Sequence, residues 1–224
     1  RSLTAPGADD LFLVGDAHQR IYGRPIAMRA CGIHIVGRSH RLRVNYRTTQ
    51  RIRDLAVGIV EGVEVDDLDD GLDTLRGYQS LRLGEAPRVH HSADVAAERD
   101  LVLATLREWL TEEPAEALCV AARTRALARG LRDAALEAGL QATWVDPNDA
   151  DSGPGVRFST FHRMKGLEFK RVILASVHRG TMPLTGGVAF PDPMSRTLHE
   201  QRERCLLYVA ATRARDHLVV SGHG

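Results

Sequence analysis

Apolar positions along the chain fall into two alternating spacings. Short runs of strand length stand at 11–14, 42–45, 88–91, 117–121, 142–145, 156–159, 171–176 and 217–221. Between them lie stretches with helical spacing at 48–60, 94–110, 124–138 and 195–212. Val95, Leu101, Leu103, Leu106 and Leu110 mark the second of these, and Thr48 or Thr49 serves as N-cap of the first. Strands separated by helices of this length require right-handed crossovers, so the pattern predicts an α/β fold around a mostly parallel sheet. Ligands of such sheets sit beyond the carboxyl ends of the strands, which gives most weight to residues that follow a strand. Two stretches break the pattern: 61–87, acidic and turn-rich and expected as an exposed connection, and 147–155, rich in Pro, Gly and Asp.

Composition narrows the class. With 224 residues, 43% apolar and 26% charged, the chain is long and apolar enough for a packed core and excludes a disordered tail. No run reaches the roughly 20 apolar residues of a membrane helix, and no secretory leader opens the chain. The expectation is therefore a cytoplasmic protein with no membrane partner. Three distant cysteines, Cys31, Cys119 and Cys205, fit neither a disulfide framework nor a zinc site. A net charge of +1 gives no global field toward nucleic acid. Of the 30 basic residues only Lys165 and Lys170 are lysines, a bias that fits a GC-rich coding sequence yet sets apart a lysine inside a motif. The opening Arg-Ser-Leu fits a piece of a longer protein.

Four segments carry residue types that a packed core does not need. In VGDAHQRIYG (14–23), Gly15 permits a sharp turn, and Gln19 offers a donor and an acceptor suited to a water or phosphate oxygen. The bland alternative is a polar turn. In VNYRTT (44–49), Arg47 stands where strand passes into helix and can grip a phosphate with two N–H groups, or it is one more surface arginine. In FSTFHRMKGLEF (158–169), Thr160 and His162 suit a phosphodiester backbone and Glu168 a sugar hydroxyl. The alternative there is a structural histidine. One His and one Glu make a poor metal cage, so no metal site is expected. In ERCLLYVAATRAR (203–215), Leu206, Leu207, Val209 and Ala210 have core spacing, while Arg213 and Arg215 either complement a helix dipole or, for Arg213, reach a phosphate.

In this order, VGDAHQRIYG, NYRTT, STFHRMKGLEF and ERCLLYVAATRAR resemble motifs III, IV, V and VI of superfamily 1 helicases of the UvrD/Rep/PcrA type. ALCVAARTRALARGLRDAAL (117–136) resembles the strand–helix unit between motifs IV and V, so the resemblance covers about residues 11–221. It implies a RecA-like (P-loop NTPase-type) parallel sheet flanked by helices. Residues 1–37 would close the first motor lobe, and 38–224 would form the second. ATP would bind between the lobes and single-stranded DNA across their top. Carried over, Gln19 couples phosphate to DNA, Arg47 and Arg213 approach the γ-phosphate, and Glu168 holds the ribose beside Gly166. Tyr22, Arg24, Thr48, Thr160 and His162 lie on the DNA side.

The departures are also informative. No G-x-x-x-x-G-K-[ST] loop occurs in the chain, and no Asp-Glu pair precedes residue 11 to hold Mg2+. The resemblance assigns both to a missing N-terminal lobe of the same protein, so the chain alone is expected to be inactive as an ATPase. Arg24 replaces a second motif III aromatic. Roughly 110 residues separate Arg47 from Thr160, too few for the extra subdomain of the larger relatives. The leading expectation is thus the C-terminal part of an ATP-dependent DNA helicase or translocase. The alternative is a non-catalytic module docking on RNA polymerase or a nuclease. A nuclease itself would need clustered carboxylates, and the acidic run near 61–70 reads as a solvated loop.

Overall fold

A computed structural model describes residues 11–16, 19, 21, 28–33, 38–63, 65–66, 72–73, 75, 77–145 and 153–224. In chain order the elements are β1 (Val44–Asn45), α1 (Gln50–Ile59), β2 (Val65–Asp66), β3 (Leu72–Asp73), β4 (Gln79–Ser80), β5 (Arg88–Ser92), α2 (Val95–Leu110), β6 (Leu118–Ala122), α3 (Arg125–Glu137), β7 (Ala142–Trp144), β8 (Val156–Thr160), β9 (Phe169–Ala175), α4 (Pro193–Ala211) and β10 (Ala214–His223). Six strands form one sheet in the order β5-β10-β9-β6-β8-β7, every neighbouring pair parallel. The two-residue strands pair apart from it, β1 with β4 in parallel and β2 with β3 antiparallel.

Residues alternating along the central strands face opposite cores. Cys119, Ala121, Val172, Leu174 and Leu218 join α1 and α4 residues such as Ile52, Ala56, Leu206 and Val209. Leu118, Val120, Ile173, Ala175 and Val219 join α2 and α3 residues such as Val102, Leu106, Trp109 and Ala135. A strand buried on both faces reads as a continuous apolar run, which is why the sheet is visible in the sequence. The helices start where short polar residues can cap them. Asp94 accepts from Ala97 N at 2.8 Å, Thr124 from Leu127 N at 3.3 Å and Asp192 from Ser195 N at 2.7 Å. Thr49 is the N-cap residue of α1 without a side-chain cap bond.

Three expectations need correction. The run at 11–14 forms no strand, and Phe12 is 92% exposed, since no ladder neighbour meets it among the described residues. The connection at 61–87 contains the short strands β2, β3 and β4. Val95 is exposed, and α2 instead buries Val102 and Trp109 together with Glu98 and Thr105. Among the described residues no helix is long and apolar enough to cross a membrane.

Candidate functional site

The chemistry-bearing residues divide between the two ends of the sheet. At the amino ends of β9 and β10, two backbone contacts gather distant segments. Phe169 N donates to Arg213 O at 3.0 Å, which sets Glu168 beside Arg213. Thr49 N donates to Arg215 O at 3.2 Å, which brings in the 47–49 turn. That turn is shaped by Asn45, whose Oδ1 accepts from Arg47 N at 2.9 Å. Arg82, not singled out in the sequence, then ties the junction together. Its Nη2 donates to Arg47 O at 3.2 Å and Arg215 O at 3.4 Å, and its Nη1 pairs with Asp216.

On this frame Arg47 Nε donates to Glu168 Oε2 at 2.9 Å, both side chains being nearly half exposed. Arg213 is buried. Its Nε donates to Val209 O at 3.0 Å, Nη2 to Thr212 Oγ1 at 3.1 Å and Nη1 to Leu167 O at 3.5 Å. Burial, followed by the neighbouring Arg47 charge, pushes the Arg213 guanidinium down to about 10, while Tyr208, Asp16 and Glu168 act the other way. Arg213 therefore keeps its charge at neutral pH. Gly166 has φ +89°, and a Cβ there would meet nothing within 4 Å, so the backbone lies open on this side. Gln19 Nε2 donates to Asp16 Oδ2 at 2.7 Å, and Asp16 acts electrostatically on Arg213, so this segment reaches the same region.

The carboxyl-end rule fails for this group. Glu168 and Arg213 precede their strands, so the cluster lies at the amino ends of β9 and β10. Thr48 belongs there too, buried with its hydroxyl accepting from Asn45 Nδ2, and the structure does not bring it to Thr160 and His162. Tyr22 and Arg24 lie outside the described residues.

Thr160 and His162 occupy the opposite end, where β8 runs into the short helix Phe161–Met164. Beside them Arg123, just after β6, forms a two-pronged ion pair with Glu203 of α4, both contacts at 2.7 Å. Glu203 also accepts from Leu184 N at 3.0 Å. Burial first, then the Arg123 charge, lowers the His162 pKa below its ordinary value, with Glu203 opposing. His162 is thus neutral at pH 7 and offers a hydrogen bond rather than a charge. The Arg123–Glu203 pair escaped the sequence reading, because both residues stand in quoted segments but no spacing shows that they meet.

Two guanidiniums, an open glycine backbone and a carboxylate are gathered at one end. A small polar set lies at the other. Among the described residues no group of three or more His, Cys, Asp or Glu is placed to hold a metal ion. The domain is thus an α/β fold on a six-stranded parallel sheet, with these two groups of side chains at its two ends.

Comparison with known proteins agrees with the fold. Residues 146–224 match the UvrD-like helicase C-terminal domain. The ATP-dependent DNA helicase UvrD2 of Mycobacterium tuberculosis is 42% identical over 67 residues, as is its Mycobacterium bovis counterpart. That match spans 30% of this chain and 9% of the relative. The crystal structure of the C-terminal domain of a possible DNA helicase from Lactobacillus plantarum superposes with a TM-score of 0.56 at 23% identity, covering 80% of this chain and 88% of that one. It shares the fold. The similarity to the UvrD-like helicase C-terminal domain thus lies in the last third of the chain.

Proposed function

We propose that this chain is the second motor lobe of an ATP-dependent DNA helicase or translocase, and that its amino-end cluster acts on the γ-phosphate of ATP held against a first lobe. The observation that carries the reading is the convergence of Arg47, Glu168, Gly166 and Arg213 at the starts of β9 and β10. Phosphoryl transfer needs positive charge where negative charge accumulates on the transferred group, with little covalent work from the protein. Three of the five N–H groups of Arg213 are engaged with the protein, which fixes the side chain and leaves two for a phosphate oxygen. Arg47, held among the described residues through Nε, keeps both terminal nitrogens for the same task. Glu168 has an oxygen to accept from a ribose hydroxyl, and Gln19 lies next to Asp16 on the same side.

The described residues bring no ligand set for Mg2+, which this reading leaves to the first lobe together with the phosphate loop. At the other end of the sheet, Thr160 and neutral His162 contact single-stranded DNA through hydrogen bonds. A docking module without catalysis would have no use for two arginines and a carboxylate set around an open glycine. The test is ATP turnover by the full-length protein with and without single-stranded DNA, beside the same assay on this chain alone. Turnover stimulated by DNA in the first and none in the second supports the reading. Equal turnover in both overturns it.

A further inference from the structure

We propose that the loop between β9 and α4 is a second single-strand contact, in which Arg179 grips a phosphodiester. This rests on the motor-lobe reading and extends its DNA side. The loop leaves β9 at Ser176, a non-glycine residue at φ +59°, a conformation that persists only when its surroundings impose it. Those surroundings are a buried carboxylate: Glu98 accepts from Ser176 N at 2.7 Å and Ser221 Oγ at 2.6 Å, and meets His223 Nδ1 at 2.5 Å. Val177 N donates to Ser221 O at 2.8 Å, and a Cβ on Gly222 would stand 2.4 Å from Val177 O, so the loop is pressed onto β10. Thr181 Oγ1 bonds back to His178 O at 3.0 Å, and Met182 N to the same oxygen at 2.9 Å. Midway along the loop a second buried carboxylate, Glu203, holds Leu184 N.

Two buried acids therefore brace the 176–184 part of the loop, and Arg179–Gly180 between the two braces is exposed. The Arg179 guanidinium has no side-chain partner among the described residues. The acid that holds Leu184 N also pairs with Arg123, whose charge acts on His162. Arg179 follows β9, and Thr160 and His162 lie where β8 ends, so all three stand at the carboxyl end of the parallel sheet. A cation on a rigid loop loses little freedom when it binds, and the planar fork of arginine matches a phosphate. Glu98 is a positioning residue in this scheme, acting on DNA only through Arg179.

The test is binding of a fluorescein-labelled oligodeoxythymidylate to the full-length protein across a series of salt concentrations. Arg179→Ala is expected to weaken binding and to make the plot of log affinity against log salt shallower by about 0.7, the value of one single-strand phosphate contact. Arg179→Lys restores the slope. Glu98→Gln is expected to weaken binding in the wild-type background and to add nothing to Arg179→Ala, whereas a merely structural role would add in both. If Arg179→Ala leaves affinity and slope at wild-type values while the wild type binds, Arg179 is an ordinary solvated arginine and the inference fails. If the wild type does not bind the oligonucleotide at all, the motor-lobe reading fails with it.

Discussion

Arg47 and Glu168, 121 residues apart in sequence, meet through a 2.9 Å ion pair at the amino end of the sheet, next to buried Arg213. Exposed pairs of this kind contribute at most about 1 kcal/mol. Arg47→Ala should therefore leave the urea unfolding midpoint almost unchanged while cutting ATP turnover of the full-length protein strongly. Matched losses in both would make the pair structural.

Arg82 spans three acceptors: the carbonyls of Arg47 and Arg215 and the Asp216 carboxylate. It fixes where Arg47 can point. Arg82→Ala is expected to lower turnover about ten- to a hundredfold through misplacement of Arg47. Arg82→Lys should not rescue it, because a single ammonium cannot reach all three. Steady-state kinetics decides; wild-type turnover in Arg82→Ala would remove Arg82 from the account.

The Arg123–Glu203 pair differs from Arg47–Glu168 because it is buried, with side chains 13% and 6% exposed. Removing one partner strands the other charge, and Leu184 N as well. Glu203→Ala should cost about 3–5 kcal/mol in urea unfolding, and the double change Arg123→Met with Glu203→Leu should recover part of it. A single-site loss below about 1 kcal/mol would contradict this.

Acid should unfold the domain through its buried carboxylates. Burial alone raises the Glu98 carboxyl, but hydrogen bonds from Ser221, His223 and Ser176 N outweigh it and hold the group below its ordinary 4.5. At Glu203, burial is likewise outweighed by the bonds from Arg123 and Leu184 N. Folded values below unfolded ones mean stability that is complete above about pH 4.5 and lost as pH falls through the folded values. Urea midpoints should drop steeply below pH 4.5, and Glu98→Gln should flatten that drop. Parallel curves for the two proteins would rule out Glu98 as a source.

The sheet was legible because its strands are buried on both faces: runs such as 117–121 and 171–176 are apolar whatever packs on them. Two-residue strands such as β4 carry no such signal. The run at 11–14 looks like a strand, yet apolar character alone supplies no ladder partner. Buried charges were the larger gap. Glu98, Arg171, Glu203 and Arg213 lie at most 6% exposed, and periodicity assigns such residues to the surface. The motif residues stand out in the sequence, but the end of the sheet on which they lie does not. Glu168 and Arg213 precede their strands, so a rule favouring residues after strands does not point to them.

The central claim is that Arg213 acts on phosphate from this lobe. The most direct measurement is the DNA-stimulated ATPase rate of the full-length protein, wild type against Arg213→Ala and Arg213→Lys, with folding of each variant checked by urea unfolding. A folded variant whose turnover falls about a thousandfold or more, with lysine unable to restore it, is the predicted result. A folded variant that hydrolyses ATP at close to the wild-type rate would contradict the account.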